Sequence, residues 1–386
     1  MITFGFGVNQ QGQLGIGKPQ KEVHKPTKVL LPENTFISSV SCGGWYTLFL
    51  SQNGDVFSCG YGKYGRLGSG SETDQHTPIQ INKQIKEKVV QISAGNWVGA
   101  LLTENGKIYS WGKSSGTGIP SKDDILVPTP IHEHNPKIKD TRFTNVCCGD
   151  QFMFAIDDNG QLYGWGKNRD GILGSNKSPV LPQKIKSWKN RKIQKISCGL
   201  GHAGIISDSK LFMFGSTQDG CLGNGKEKID SKFISIDSPV QVDFSHLTDS
   251  PIVSVSCNKS EHYLHTLVMS EKGQIFSFGS NYKSKLGVGE QIQKSSVPLS
   301  VDLQNVKSVP LKICAGGIHS ALMTNDGFYT WGCGSNGRLG HSESENYRYL
   351  FRENIPRKVD LEAKQLIDAD CSYYHSICVV SNLEKN

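Results

Sequence analysis

A hairpin pattern recurs about every fifty residues along the chain, and it limits the folds that the sequence can adopt more than any other feature. Residues 313–340 show it clearly: a glycine-rich start with His319, an apolar strand, the turn Asn325-Asp326-Gly327, a second strand ending in Trp331-Gly332, and a Gly-x-Leu-Gly tail. Asn and Gly tolerate positive φ, and the flanking residues alternate as in a half-buried strand. The pattern therefore predicts a β-hairpin.

Two independent markers of this hairpin keep the same phase. The second strand ends in an aromatic residue or cysteine followed by glycine at Phe6-Gly7, Cys59-Gly60, Trp111-Gly112, Trp165-Gly166, Phe214-Gly215, Phe278-Gly279 and Trp331-Gly332. Successive glycines are 53, 52, 54, 49, 64 and 53 residues apart. The first strand ends in a small residue at Cys42, Ala94, Cys148, Cys198, Cys257, Ala315 and Cys371. Both markers indicate seven units.

Seven hairpin units with almost no helical periodicity predict an all-β, seven-bladed β-propeller built from repeats of about fifty residues. One small sheet cannot bury both of its faces, so we expect the core to lie between blades. The recurring ring should fill that space, and the glycine after it should let the next blade's backbone come close. We predict a single domain spanning residues 1–386.

The chain ends predict how the ring closes. The sequence begins with a second hairpin strand and ends with a first hairpin strand, so residues 1–17 and 365–383 should share one blade and remove an open sheet edge. Two longer segments, 224–251 and 341–357, are predicted insertions that project from the ring and could contact a partner.

The repeat also resembles a known family. Cys198-Gly199-Leu200-Gly201-His202, Ala315 to His319 with Trp331-Gly332, and Trp165-Gly166-Lys167-Asn168 with Gly171-Ile172-Leu173-Gly174 look like the repeat of the regulator of chromosome condensation family. The resemblance covers essentially the whole chain. It departs from the pattern in the first three units, where Tyr46, Val98 and Phe152 occupy the histidine position. It implies scaffolding of intracellular assemblies, including ciliary and cytoskeletal ones, or regulation of small GTPases.

Composition adds little about partners. A formal charge of +7 and a pI near 8.7 are a mild basic excess for 386 residues. Eleven cysteines without C-x-x-C pairs favour a reduced, intracellular protein, and no apolar run has the length of a membrane span. We expect a cytoplasmic protein, with the cytoskeleton, the cilium or the nucleus as alternatives, and neither a membrane nor a nucleic acid as its partner.

No arrangement of residues in the sequence predicts chemistry. Gly60-x-Gly62-x-x-Gly65 matches a dinucleotide fingerprint by letter, but it falls in the repeat and no amphipathic helix follows. The histidines His202, His265, His319 and His375 occupy one repeat position in four units, too far apart to share a metal ion. We expect each to be buried and hydrogen-bonded within its own blade. We therefore predict no catalytic, cofactor-binding or metal-binding residues.

Two segments are candidates for binding a partner. One is the lysine-rich stretch 184–195 around Trp188, which could dock an acidic surface or a phosphate backbone with the indole as anchor, although a solvated outer strand and loop is the simpler explanation of the charges. The other is the aromatic part of the insertion 341–357. The candidate residues are Lys184, Lys186, Trp188, Lys189, Arg191, Lys192, Lys195, Tyr347, Tyr349 and Phe351.

These observations favour a non-enzymatic interaction scaffold or adaptor that binds other proteins and no small-molecule substrate. The alternative is a guanine-nucleotide exchange factor or other regulator of a small GTPase, an activity that the family resemblance implies. An exchange factor needs a projecting wedge with acidic or polar residues that loosen the bound phosphates. The predicted insertions are modest in length, so the sequence favours the scaffold.

Overall fold

The computed structural model describes residues 1–173, 177–188, 191–226, 235–260, 262–347, 350–361 and 365–381. Nearly all regular structure in them is β-strand. Across these ranges, no helix has the length and apolar character that crossing a bilayer requires.

The described residues contain twenty-eight strands. In chain order they are β1 (Ile2–Asn9), β2 (Gln20–Lys28), β3 (Ile37–Cys42), β4 (Tyr46–Ser51), β5 (Val56–Gly60), β6 (Gln75–Gln80), β7 (Val89–Ala94), β8 (Val98–Thr103), β9 (Ile108–Gly112), β10 (Ile125–Pro130), β11 (Phe143–Cys148), β12 (Phe152–Asp157), β13 (Leu162–Gly166), β14 (Gln183–Lys184), β15 (Ile193–Cys198), β16 (His202–Ser207), β17 (Lys210–Ser216), β18 (Ser235–Gln241), β19 (Ile252–Cys257), β20 (His265–Ser270), β21 (Ile275–Ser280), β22 (Lys294–Ser300), β23 (Pro310–Ala315), β24 (His319–Thr324), β25 (Phe328–Cys333), β26 (Arg352–Lys358), β27 (Gln365–Cys371) and β28 (His375–Ser381).

Short helical turns connect the third and fourth strands of most blades and some neighbouring blades. The 3-10 turns in the described residues are Lys63–Gly65, Ser114–Gly116, Ile131–His134, Pro136–Ile138, Arg169–Gly171, Lys186–Trp188, Gln218–Gly220, Tyr282–Ser284 and Ser335–Gly337, and one α-helical turn, α1, spans Ser344–Tyr347.

The strands form seven four-stranded antiparallel sheets, which we number as blades 1 to 7. Blades 1 to 6 each take four consecutive strands, from β3–β6 to β23–β26. The first strands of neighbouring blades contact one another around the ring and form its inner wall. The predicted seven-bladed propeller is confirmed.

Blade 7 closes the ring, as predicted, with strands from both chain ends. Its order is β27-β28-β1-β2, and β1 pairs with β28 from Ile2 opposite Val380 to Gly7 opposite His375. The predicted boundary at residue 17 is too early, because the outer strand β2 also belongs to this blade. The predicted insertions contain ordinary blade elements too: β18 lies within 224–251, β26 covers much of 341–357, and residues 227–234 lie outside the described part.

The core lies in the spaces between blades. Trp165 of blade 3, for example, is completely buried in a cluster with Val98 and Ala100 of blade 2. A large ring removed from water in this way contributes on the order of 2–3 kcal/mol. The recurring aromatic residue therefore performs the packing role that the sequence indicated.

The close approach between blades occurs at a different glycine from the one predicted. Gly166, which follows Trp165, has φ 101 and pairs with Phe152 of its own blade, where a Cβ would lie 2.7 Å from the Phe152 Cα. The ring of Trp165 instead packs on Gly118 in the tail of blade 2, where a Cβ would lie 2.6 Å from the indole Nε1. The glycine after the ring permits strand pairing within the blade, and the tail glycine accommodates the next blade.

The four repeated histidines join neighbouring blades through Nε2, which the prediction of bonds within their own blade did not include. Of the four, His375 also has a bond of the predicted kind, because the hydroxyl of Ser372 in the same blade lies 2.9 Å from its Nδ1. Nε2 of His319 in blade 6 lies 2.9 Å from the hydroxyl of Ser376 in blade 7, and this hydroxyl donates to the carbonyl of Arg338 at 3.0 Å. Because the hydroxyl proton is already used, Nε2 must carry the hydrogen and donate it. The equivalent pairs are His202 with Thr266, His265 with Ser320, and His375 with Thr47.

Acidic side chains fasten the closing junction between blades 7 and 1. A carboxylate oxygen of Asp370 accepts a hydrogen bond from the main-chain N–H of Cys42 at 2.8 Å. At the equivalent place between blades 1 and 2, the hydroxyl of Ser41 accepts from the main-chain N–H of Ala94. Asp368 accepts from the N–H of Val40 at 2.9 Å and pairs with Lys312 at 2.6 Å. Charge-assisted hydrogen bonds are the stronger kind, and here they reinforce the contact between the first strands of the two blades, β27 and β3.

Candidate functional site

One face of the disc combines exposed aromatic rings with basic side chains. We call it the loop face: it carries the loops between the first and second strands and between the third and fourth strands of each blade. The opposite face carries the hairpin turns and the connections between blades, and we call it the turn face. Alternation of strand direction in an antiparallel blade fixes this division.

The loop face has a cavity of about 250 Å³ at the centre of the ring. Its walls come from the loops that precede the second strand of several blades, and they include Trp45, Trp97, Leu200, His262 and Tyr374. The rings of Trp45 in blade 1 and Tyr374 in blade 7 lie with centroids 3.8 Å apart. The rim is therefore largely aromatic, and these rings are only partly buried.

Lys259 crosses the centre of the ring. It lies in the longer loop of blade 5, and its Nζ donates to the carbonyl of Cys42 at 2.6 Å and lies 3.4 Å from a carboxylate oxygen of Asp370. Burial alone would lower the pKa of Lys259, but the neighbouring carboxylate and thiol raise it, so this ammonium remains charged. The extra residues before His265 therefore place a fixed positive charge beside the cavity.

Backbone hydrogen bonds link these loops from blade to blade. The amide of Gly44 donates to the carbonyl of Gly95 at 3.3 Å, and the amide of Asn96 donates to the carbonyl of Gly149 at 3.1 Å. The side chain of Asn96 also donates to Asp150 at 2.9 Å. Such a network holds the rim rings in place before any partner binds, which reduces the entropic cost of binding.

A cluster of cations and rings continues outward from the rim over blades 1 and 2. The guanidinium of Arg66 lies 4.3 Å from the ring centroid of Trp97 and 4.8 Å from that of Tyr61. The ammonium of Lys113 lies 3.8 Å from the centroid of Tyr64, whose ring meets Trp97 edge-on at 5.1 Å. Trp, Tyr and Arg are the residues enriched at binding hot spots.

Three blades bury a cation at one repeat position beneath this face. Arg66, Lys285 and Arg338 each follow the first residue of the Gly-x-Leu-Gly tail, and carbonyl oxygens hold them, such as that of Asn96 for Arg66 and that of Tyr373 for Arg338. Burial lowers the pKa of Lys285 to about 7 and that of Arg66 to about 10, and it also lowers the pKa of Arg338. Arg66 and Arg338 therefore place two buried positive charges beneath the loop face, while Lys285 is only partly protonated near neutral pH.

Tyr64 is held in a backbone conformation that tyrosine rarely adopts. Its φ is 62, and Asp219, Lys283 and Asn336 have values of 59 to 62 at the same repeat position. Asn and Asp visit this region readily, whereas a bulky residue there costs about 1–2 kcal/mol. The conformation belongs to the repeat, and what Tyr64 adds at this position is a partly exposed ring on the loop face.

The lysine-rich segment 184–195 does not form a single docking patch around Trp188, which was one of the two interpretations of its sequence. Trp188 is only 1 % exposed and packs against Phe212, with ring centroids 5.4 Å apart, so its indole cannot serve as an anchor for a partner. Lys184 lies on the outer strand of blade 3, while Lys195 lies on the inner strand of blade 4. The exposed members are Lys184, Lys186, Arg191, Lys192 and Lys195, and Lys189 lies outside the described residues.

The aromatic segment of blade 6 is partly exposed. Tyr347 is 58 % exposed at the end of α1, while Phe351 is half-buried and packs over Gly334. The helical turn itself is tied to blade 7, because Nδ1 of His24 lies 2.7 Å from the hydroxyl of Ser344. Tyr349 lies outside the described residues, so the structure brings together only part of this candidate set.

No metal centre is built from the part of the chain that the structure describes, since no group of three or more His, Cys, Asp or Glu side chains converges there. All eleven cysteines are described and none forms a disulfide.

Sequence reasoning missed the rings of the loop face. Trp45, Trp97 and Tyr374 occupy the residue directly before the histidine position, and their three blades are neighbours once the ring closes. Comparing that one position across the seven units would have shown an aromatic cluster in blades 7, 1 and 2.

Comparison with known proteins agrees with this architecture. The family model described as RCC1-like domain matches residues 3–309, and the model of the Regulator of chromosome condensation (RCC1) repeat matches residues 325–379. The Ultraviolet-B receptor UVR8 of Arabidopsis thaliana is 29% identical over 350 residues, which cover 89% of this chain and 75% of the relative. The Regulator of chromosome condensation of Homo sapiens is 28% identical over 413 residues, covering 100% of this chain and 91% of the relative.

Solved structures share the fold. Human WBSCR16 superposes with a TM-score of 0.83 at 21% identity and covers 99% of each chain. Prp20p from Saccharomyces cerevisiae superposes with a TM-score of 0.83 at 21% identity, covering 100% of this chain and 92% of the other. Repeat phase, blade count and family models coincide over nearly the full length, and the chain belongs to the regulator of chromosome condensation family of RCC1-like propellers.

Proposed function

We propose that the protein is a non-enzymatic interaction scaffold that binds a protein partner through the loop face. The observation that carries this proposal is the row of partly exposed rings around the central cavity, from Trp45 and Tyr374 to Trp97 and Tyr64, with the cations of Arg66 and Lys113 against it. Rigid rings over buried cations supply contact area at low entropic cost, and this is the composition of binding hot spots.

The charge of the loop face indicates the chemistry of the partner. Buried cations beneath the rings and Lys259 at the centre favour a partner surface that carries carboxylates beside apolar or aromatic side chains. Charge complementarity of this kind speeds association and selects the partner, while the rings supply most of the affinity. We also propose that the protein acts in the cytoplasm, which imaging of a tagged chain would test.

Substitution of the rim rings tests the scaffold proposal. We expect the double variant Trp45→Ala with Trp97→Ala to lose specific partners in quantitative co-purification from cells. Both rings are partly exposed, so folding should be retained. The matched control is Phe36→Ala, which removes an exposed ring from the turn face, in the connection between blades 7 and 1. An unchanged set of partners in the double variant, together with an unchanged melting temperature, would contradict the proposal.

Tyr64 offers a sharper test, because binding and stability should change in opposite directions. Asn at this position adopts positive φ readily, as Asn336 does in blade 6, so Tyr64→Asn should retain stability or gain up to about 1 kcal/mol. Partner binding should weaken, because the ring over Lys113 is lost. Thermal unfolding and binding of the co-purified partner measure the two effects. If binding is unchanged, the strained ring has no role in recognition.

A second candidate function is regulation of a small GTPase. It is favoured by the match to the human Regulator of chromosome condensation along the whole chain and by the likeness to Prp20p, for which binding to Gsp1p and histones is described. Release of labelled nucleotide from a panel of purified small GTPases tests this function. Stimulated release that is lost in Trp45→Ala with Trp97→Ala would favour the regulator over the scaffold.

A further inference from the structure

We propose that a groove on the turn face, between blades 2 and 3, is a second docking site, and that it binds a short acidic peptide segment with an apolar or aromatic residue at its centre. The groove has a volume of about 550 Å³. It lies on the side of the disc opposite the loop face, so its occupation does not depend on the proposed function of that face.

Two neighbouring connections build the groove. One wall is the 3-10 turn Pro136–Ile138, which precedes blade 3, and the other is the segment from Pro182 to Lys186 at the end of the same blade. The side-chain amide of Asn135 donates to the carbonyl of Pro182 at 3.0 Å and joins the two walls. This buried hydrogen bond fixes the width of the groove.

The interior of the groove is apolar. Ile138, Ile185 and Tyr163 line it, and each is anchored in the core with little of its surface exposed. A concave apolar surface of this size is typical of sites that hold one or two side chains of a ligand. The groove therefore favours a ligand with an apolar or aromatic group over one that is polar throughout.

The edges of the groove are basic. Lys137, Lys184 and Lys186 line it with exposed side chains, and among the described residues none of the three pairs with a carboxylate. Lys184 extends over the ring of Tyr163, with Nζ 5.5 Å from the centroid. The lining residues that the structure describes include no Asp or Glu. Three cations around an apolar floor complement carboxylates that flank an apolar side chain.

A peptide fits this arrangement better than a nucleic acid does. A duplex presents a continuous row of phosphates, and proteins meet it with cations along an extended surface. Here the cations surround a bounded depression whose floor is formed by Ile138, Ile185 and Tyr163, with the polar side chains of Gln161 and Gln183 beside it. With the loop face on the other side, an occupied groove would allow the disc to hold two partners at once.

Fluorescence anisotropy of the full-length chain with a labelled hexapeptide, Glu-Glu-Leu-Phe-Glu-Glu, tests the groove. We expect saturable binding that weakens at least about tenfold in the variant Lys184→Glu with Lys186→Glu. The matched control is Lys83→Glu with Lys86→Glu, which makes the same charge change at exposed lysines of the turn face beside blade 1. The control should bind the peptide within about twofold of the unaltered protein.

Three further probes separate the explanations. A peptide with Gly in place of Leu and Phe should bind weakly, and the loop-face variant Trp97→Ala should bind the original peptide normally. Thermal unfolding confirms that each variant is folded. The proposal is overturned if the unaltered protein does not bind the peptide, if both lysine pairs have equal effects, or if a labelled DNA duplex binds more tightly and depends on the same lysines.

Discussion

The junctions between blades fall into two groups that solve one packing problem with different chemistry. From blade 4 round to blade 1, a buried histidine donates to a hydroxyl of the next blade. From blade 1 to blade 4, the same position holds Tyr46, Val98 and Phe152, and no side-chain hydroxyl follows in the next blade. The hydroxyl of Tyr46 instead donates to the main-chain carbonyl of Val98 in the next blade at 2.7 Å. We call the four histidine junctions polar, and the two junctions built on Val98 and Phe152 apolar.

The two groups show that the residue at the histidine position of one blade matches the residue that it faces in the next blade. Histidine occurs where the next blade has Ser or Thr after its own histidine position, as with His265 and Ser320. Where that residue is Gly99, Met153 or Ala203, the preceding blade has no histidine. A buried imidazole without its hydroxyl would lose a hydrogen bond at a cost of about 1–3 kcal/mol, which explains the pairing.

We expect the largest difference between the polar and the apolar junctions at acidic pH, where only the polar ones should lose stability. Burial lowers the pKa of His202 to about 4 and that of His375 to about 3, and it holds the pKa of His265 and His319 well below the usual 6.5. Below pH 6.5 the unfolded chain binds protons that the folded chain does not, so stability is complete above pH 6.5 and falls as the pH falls. Each histidine should lose about 1.4 kcal/mol per pH unit, or about 2 kcal/mol by pH 5.

Urea unfolding from pH 7.5 to pH 5 measures this loss, and amide hydrogen exchange locates it. Protection should fall first in β16, β20, β24 and β28, which carry the four histidines, while β8 and β12 keep theirs. The control His246→Gln alters an exposed histidine and should leave the pH dependence unchanged. Equal loss of protection around the whole ring would contradict the distinction between the junctions.

Truncation of the apolar junction should be nearly as damaging but independent of pH. Phe152 is buried and packs edge-on against Phe154, with ring centroids 5.7 Å apart. Phe152→Ala should lower the free energy of unfolding by about 3–5 kcal/mol, because it leaves a cavity between blades 3 and 4. The measurement is urea unfolding at pH 7.5 and pH 6. A larger loss at the lower pH would show that this junction also depends on titration.

Removal of one hydroxyl from a polar junction should have the smallest effect. Ser376→Ala leaves Nε2 of His319 without its partner and should cost about 1–3 kcal/mol. His319→Phe introduces the residue type that blade 3 has at this position, Phe152. It should remove the contribution of one histidine from the pH dependence of the free energy of unfolding. If His319 and Ser376 act as a unit, the double variant His319→Phe with Ser376→Ala should lose less free energy of unfolding than the two single variants lose together. The difference should be at least about 0.5 kcal/mol.

Much of the fold followed from the repeat, whereas the binding surfaces did not. Seven phased units indicated the blades, and the unmatched hairpin strands at the two ends indicated the shared blade. The repeat did not show that Trp188 turns inward against Phe212, because a charge run reads the same whether its central ring is buried or exposed. Likewise, the extra residues around Lys259 showed a longer loop but not that it reaches across the ring.

The sequence by itself determined the number of blades and the closure of the ring, because these depend on local patterns that repeat with fixed spacing. Only the tertiary structure decided which side chains meet across neighbouring blades. Those contacts make His375 the partner of Thr47, set Trp45 against Tyr374, and gather cations from separate units beneath one face. Such contacts join residues up to several hundred positions apart, and their energies depend on distance in space, which no spacing along the chain encodes.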